Sequence, residues 1–261
     1  MGNIHFIGGE KGGVGKSFTA RLLAQYFIDS GIAFRAFDTD RSHETFSRFY
    51  GDYSTHIDAN EFDSLDELVE YAEDNPHHQI LVDLAAQTFA PLARWMEDSD
   101  AIEMFLELDY KLYFWHVMDD GADSMFLLEK LMRSFPDTAL QLVVVKNLGR
   151  GGAFEHFDAS PAYQQAMDRG ASIIELAELQ PTLMRKIDFN SLSFWAASNS
   201  RQAMSIVERK RVGAWLKKHY ALIDDIMVMS TPQEQPAIDY GSVTQDQAQD
   251  VLPEGSFTEP A

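Results

Sequence analysis

The sequence contains no cysteine. It can form no disulfide and offers no thiolate to a metal site. Long apolar runs are missing too, since none reaches the roughly 18 residues needed to cross a bilayer. Basic residues are scarce: 21 Lys and Arg stand against 41 Asp and Glu, a formal net charge of −20. On its face that balance opposes non-specific binding to nucleic acid or anionic membrane. The first strand follows directly on the N-terminus, leaving no room for a signal peptide, so a cytoplasmic protein is expected. Core-forming residues are plentiful, with 18 Phe and 4 Trp in 261 residues. That content suits one large folded domain and excludes a disordered chain.

Chemistry is concentrated in Glu10-Lys11-Gly12-Gly13-Val14-Gly15-Lys16-Ser17. A short apolar strand at 4–8 leads in, and an amphipathic helix leads out to about Asp29. A strand, a glycine-rich turn and Gly-Lys-Ser at a helix start make a phosphate-binding loop. Gly12, Gly13 and Gly15 can adopt backbone angles closed to other residues and turn their N–H groups toward an anion. The cradle runs on through Val14, Lys16 and Ser17 to Phe18, where the helix N-terminus adds unpaired donors and a positive dipole end. Lys16 suits β- and γ-phosphates, and the Ser17 hydroxyl suits Mg²⁺. Phe18, Leu22, Leu23, Tyr26 and Phe27 repeat at helical spacing and should cover a central sheet.

The order Lys11-Gly-Gly-x-Gly-Lys16-Ser17 resembles the deviant Walker A loop of the ParA/MinD family of ATPases. The resemblance implies ATP and Mg²⁺ as ligands and an ATP-dependent homodimer, in which Lys11 reaches the partner subunit's nucleotide. Glu10 stands where the general loop has its first glycine, as in MipZ-like members. The lack of cysteine sets the chain apart from the iron–sulfur relatives of this class.

Further along, a strand at 33–37 ends in Asp38-Thr39-Asp40, on the ligand edge of an open α/β sheet. The resemblance makes Asp40 the residue that positions attacking water, and Asp38 a support for the Mg²⁺ shell or the loop. The run from Arg41 to Tyr50 resembles MipZ-like members. Residues 51–63 are polar and turn-rich, a surface excursion, and Ser64 with Glu67 forms a capping box for the next helix. Gln79-Ile80-Leu81-Val82-Asp83 is an apolar strand ending in an acid, the Walker B pattern, with Asp83 at the metal. In the atypical switch II that follows, Gln87 is either a water-orienting amide or a loop residue. Pro91 fits the first position of a helix. Tyr110–Met118 ends at Asp119-Asp120-Gly121, which are turn formers or a dimer or partner contact.

The strand at 140–145 runs into Lys146-Asn147. The Asn147 amide can match N6 and N7 of adenine, as the family resemblance implies, or form an Asx turn. Ser160-Pro161 opens a short helix, a strand follows at 172–176, and one long helix is expected over 200–226. Its polar side collects Arg201, Arg209, Lys210, Arg211, Lys217 and Lys218, with Glu208 the one acid among them. This is a solvated face or, through Arg209, Lys210, Arg211 and Lys218, a DNA contact. Residues 230–261 carry no Lys or Arg and read as a disordered acidic tail beside an ATPase domain at 1–229. The basic amphipathic helix by which MinD-like members hold membranes is missing there.

Alternating strands and helices give an α/β, doubly wound, mostly parallel sheet with helices on both faces. The function implied is slow ATP hydrolysis by a dimerising switch that positions, partitions or transfers a plasmid, chromosome or other large cargo. Two alternatives stand beside it: an ATP-dependent ligase or synthase of the dethiobiotin or cobyrinic acid type, and a non-hydrolysing nucleotide-dependent scaffold.

Overall fold

A computed structural model describes residues 1–40, 45–136 and 139–229. The expected acidic tail and Arg41-Ser42-His43 lie outside the described residues. Among the described residues seven strands form one sheet: β1 (Gly2–Gly8), β2 (Phe34–Asp38), β3 (Ser54–His56), β4 (Gln79–Asp83), β5 (Tyr110–Met118), β6 (Leu140–Asn147) and β7 (Ser172–Leu176). Their order is β3-β2-β4-β1-β5-β6-β7, and every pairing among them is parallel. The connection from β1 leads to one side of the sheet, while those from β4 and β5 lead to the other. That reversal opens a crevice at the carboxyl ends of the central strands.

Side chains alternate across the sheet, and each face has its own core. Leu112 and Phe114 of β5 point to one side, where α3 (Phe62–Asp74), α4 (Phe89–Asp98), α5 (Ala101–Glu107), α6 (Ala122–Ser134), α7 (Glu155–Asp158) and α8 (Pro161–Asp168) pack. Tyr113 and Trp115 point to the other. There they meet α1 (Lys16–Asp29), α2 (Ser47–Tyr50), α9 (Pro181–Phe189), α10 (Phe194–Asn199) and α11 (Ile206–Met229). No helix among the described residues is long and apolar enough to cross a membrane.

Several local expectations hold. Gly31 takes φ 66 and closes α1, with Ile32 N donating to Phe27 O. Ser160 caps α8 through Tyr163 N, with Pro161 at the first position. Others are corrected. The segment at 51–63 is more than a surface excursion, since it contains the edge strand β3, paired through Ala36↔Ser54 to Asp38↔His56. Three polar residues carry no strand signal of their own, and Arg35 fastens them by donating to Thr55 Oγ1 and Ser54 O. Ser64 is no cap, because α3 already starts at Phe62 and the Ser64 hydroxyl accepts Asp58 N. Pro91 sits at the third position of α4, still within the turn that needs no N–H partner.

The long helix starts later than expected, at Ile206, and runs continuously to Met229. Residues 200–205 turn between α10 and α11, and Met204 is buried in that turn. The helix start has a capping box: Ser205 N donates to Glu208 Oε2, and Glu208 N donates to Ser205 Oγ. Helix α1 is buried on nearly every side rather than along one stripe, because α10 and α11 close over its outer face. Its Gln25 is tied there to Tyr50, Trp195 and Asp29.

Candidate functional site

Strand β1 delivers the chain to the sheet edge, and the turn that follows needs glycine. Gly9, Gly13 and Gly15 have φ of 133, 78 and 108, angles that L side chains rarely adopt. At Gly15 space adds a second reason, since a Cβ would collide with Asn147 Nδ2. Lys16 begins α1 and folds back across the loop, its Nζ donating to Lys11 O at 3.1 Å. It is buried, which lowers its pKa, with Asp83 and Asp40 pulling it back up. Lys16, Ser17, Phe18, Asp40, Asp83 and Asn147 face one cleft of about 640 Å³, so the dispersed candidates of the sequence meet in one place.

Asp83 is the group in that cleft that most needs a ligand. Its carboxylate is buried and neither oxygen has a hydrogen-bond partner. Burial pushes it up to about 7. The Ser17 hydroxyl tempers that rise without making a hydrogen bond of normal geometry, Asp38 and Asp40 add to the rise, and Lys16 opposes it. A buried carboxylate costs free energy unless something compensates it. No cluster of three His, Cys, Asp or Glu able to hold a metal occurs among the described residues. One carboxylate beside one hydroxyl is nevertheless the donor set by which Mg²⁺ is held when substrate phosphates and water complete its shell. The residues present fit that ion.

Asp38 does different work. Its Oδ1 accepts Asp40 N at 3.0 Å, and its Oδ2 accepts Ser47 N at 3.2 Å and Ser47 Oγ at 2.9 Å. It shapes the chain around Asp40 and pins the start of α2. Between the two acids, Thr39 is a residue that sequence reasoning passed over as the filler of Asp-x-Asp. Its N–H and its hydroxyl both donate to Asp83 O, and the hydroxyl accepts Ala85 N at 2.7 Å. The ends of β2 and β4 are thereby stapled. Gln87, beyond them, is exposed and takes φ 67, a left-handed conformation uncommon for this residue.

Lys11 is folded onto its own chain, 2.7 Å from Asp119 Oδ2, which draws its pKa above the ordinary value. Asp119 also accepts from Ser124 Oγ and Gly121 N, and Asp120 accepts from Gly152 N and Ala153 N. Both acids are thus turn-organising residues. Glu10, in the place of the loop's first glycine, pairs with Lys130 of α6 at 3.1 Å. Asn147 braces the loop from below: Nδ2 donates to Val14 O at 2.7 Å, and Oδ1 accepts Gly149 N.

The basic group on α11 divides. Arg201 precedes the helix, Arg209 donates inward to Met204 O, and Arg211 reaches Gln180. Lys210, Arg211, Lys217 and Lys218 are exposed.

No family model matches the sequence. Among curated proteins, TraL of Escherichia coli is 29% identical over 198 residues, covering 69% of this chain and 78% of TraL. MobD of Acidithiobacillus ferrooxidans is 22% identical over 227 residues, 86% of this chain and 98% of MobD. Among solved structures, the septum site-determining protein MinD of Pyrococcus horikoshii, complexed with Mg-ADP, superposes with a TM-score of 0.52. That match covers 89% of this chain and all of MinD, at 14% identity. In its fold, the chain is a MinD/ParA-like P-loop protein.

Proposed function

We propose that the chain is an ATP-binding, slowly hydrolysing switch of the ParA/MinD type. It passes between a monomer and an ATP-sandwich dimer to position, partition or transfer a plasmid, chromosome or other large cargo. The observation that carries this reading is the buried, unpartnered Asp83 carboxylate in one cleft with Lys16 and Ser17. Similarity to TraL and MobD supports a role of this type.

Backbone N–H groups from Gly12 through Gly13, Val14, Gly15, Lys16 and Ser17 to Phe18 would wrap the phosphates, and Lys16 would neutralise their β and γ oxygens. Ser17 and Asp83 would hold Mg²⁺, which when bound offsets phosphate charge. Asp40 would keep the attacking water in line. Asn147 would meet the adenine with the one N–H and the one lone pair that the loop leaves it. Lys11 would cross to the partner's nucleotide, giving up Asp119 to do so. The described residues that line the cleft include no histidine, and slow hydrolysis suits a timer better than a metabolic catalyst. Lys210, Arg211 and Lys218, with Arg209 behind them, would contact DNA once dimerisation doubles their charge.

Three substitutions separate binding, sandwiching and chemistry. Lys16→Ala should lose ATP affinity. Lys11→Ala should keep much of it but fail to dimerise with ATP. Asp40→Ala should bind and dimerise yet hydrolyse poorly, so that its dimer is long-lived. Size-exclusion chromatography with light scattering in ATP and in ADP, with a phosphate-release assay, reads all three. A Lys11→Ala chain that dimerises like wild type overturns the sandwich and leaves an ordinary P-loop enzyme.

A further inference from the structure

The cleft extends past the phosphate loop. One helical turn beyond Ser17, Arg21 comes to its wall, and Arg48 of α2 with Arg185 and Asp188 of α9 lines the same cleft; of these, Asp188 and Arg48 act directly on the Arg21 charge. Arg21 is only 3% exposed. Its guanidinium lies against two rings, 3.5 Å from the Phe49 centroid and 5.1 Å from that of Phe194. One of its three nitrogens is in use: Nη1 donates to Asp188 Oδ1 at 3.0 Å. Nε and Nη2 are buried without a partner. Those two nitrogens form a single edge of the guanidinium, the edge that takes two oxygens of an oxyanion side by side.

A buried donor pair left unmet is costly, and such groups call for an explanation. Packing supplies none, since an apolar side chain would fill the space between two aromatic rings without a charge. The surroundings are also short of negative charge. Burial pulls the Arg21 guanidinium below its ordinary pKa, Asp188 raises it again, and Arg48 adds to the fall.

We propose that this end of the cleft is a second oxyanion site, distinct from the phosphate loop, that takes a phosphate group. Charge selects phosphate over carboxylate. Outside the phosphate loop and the metal acids, Arg150 and Glu178 offset each other, and Arg21, Arg48 and Arg185 against Asp188 leave two positive charges; a phosphate monoester carries about two negative ones near pH 7. The phosphate is free, or it is carried on the sugar of a nucleotide seated in the same cleft. The Arg21 edge is closed to solvent in this structure, so entry requires movement of the wall that Phe49 of α2 and Phe194 of α10 build around the guanidinium.

The test titrates inorganic phosphate into the full chain with Mg-ADP saturating the loop, and into Lys16→Ala without nucleotide, by calorimetry. One phosphate per chain is expected in each. Arg48→Gln with Arg185→Gln, both exposed, should weaken it about tenfold by removing two solvent-screened positive charges, at unchanged melting temperature and Mg-ADP affinity. Arg21→Gln should abolish it. A parallel titration compares adenosine 3′,5′-bisphosphate with AMP. A preference for the bisphosphate that the double variant loses, without binding of free phosphate, assigns the site to a nucleotide-borne phosphate. Absence of both kinds of binding, or binding untouched by the double variant, overturns the proposal. A chain that binds phosphate at Arg21 but never Mg-ADP would sink the ATP reading alone.

Discussion

Asp38 and Asp83 are the same residue in the same position, and they have opposite roles. Each ends a strand, the strands are neighbours, and the two residues are register partners. Both are almost sealed from solvent, at 1% and 3% exposure. Asp38 accepts three hydrogen bonds from Asp40 and Ser47, whereas neither oxygen of Asp83 has a partner. The cause lies in the segment after each strand. Past Asp38 the chain returns at Ser47 with an N–H and a hydroxyl to offer. Past Asp83 the donors are already committed, Leu84 N to Ile7 O and Ala85 N to Thr39 Oγ1. A carboxylate on the ligand edge of a sheet is therefore available to a ligand only where the local backbone leaves it unsatisfied.

The strongest way to break this contrast is metal-dependent nucleotide binding. Asp83→Asn should lose most of the gain in ATP affinity that Mg²⁺ confers, about 100-fold, in titrations of a fluorescent ATP analogue with and without the metal. Asp38→Asn should retain the larger part of that gain, and equal losses would erase the distinction. Stability sharpens it with opposite signs. Without ligand, Asp83→Asn should stabilise the chain by about 2 kcal/mol, because it removes a buried charge with no partner. Asp38→Asn should destabilise it by about 2 kcal/mol, because buried donors lose a charged acceptor. Urea denaturation of both at pH 8 decides the signs. The smallest effect belongs to the residue between them. Thr39→Val removes the hydroxyl bonds to Asp83 O and from Ala85 N and should cost about 1 kcal/mol. Faster amide exchange is expected at Ala85 than at Leu84, and unchanged exchange at both would mean that the staple is dispensable.

The loop was legible in the sequence because its chemistry is contiguous: glycines where backbone angles demand them, then a lysine and a serine at a helix start. The strands Gln79–Asp83, Tyr110–Met118 and Ser172–Leu176 were legible because each is an apolar or β-branched run with clear ends. Strand β3 was not, since Ser54–His56 becomes a strand only by pairing with β2. The late start of α11 did have a local signal in Ser205-x-x-Glu208, but the run of helix-compatible residues before it concealed it.

At the site, local sequence determined which residues could bind phosphate and metal, because those demands are met by residue type and short spacing. Tertiary structure decided which of those groups stay available. Lys11 meets Asp119, Asn147 supports Val14 from 133 residues away, and Arg21 finds Asp188 across 167. Whether an acid or a guanidinium is satisfied depends on partners that only the folded chain brings within 3 Å or so, since hydrogen bonding ends within about 3.5 Å. Spacing along the sequence carries no record of that distance.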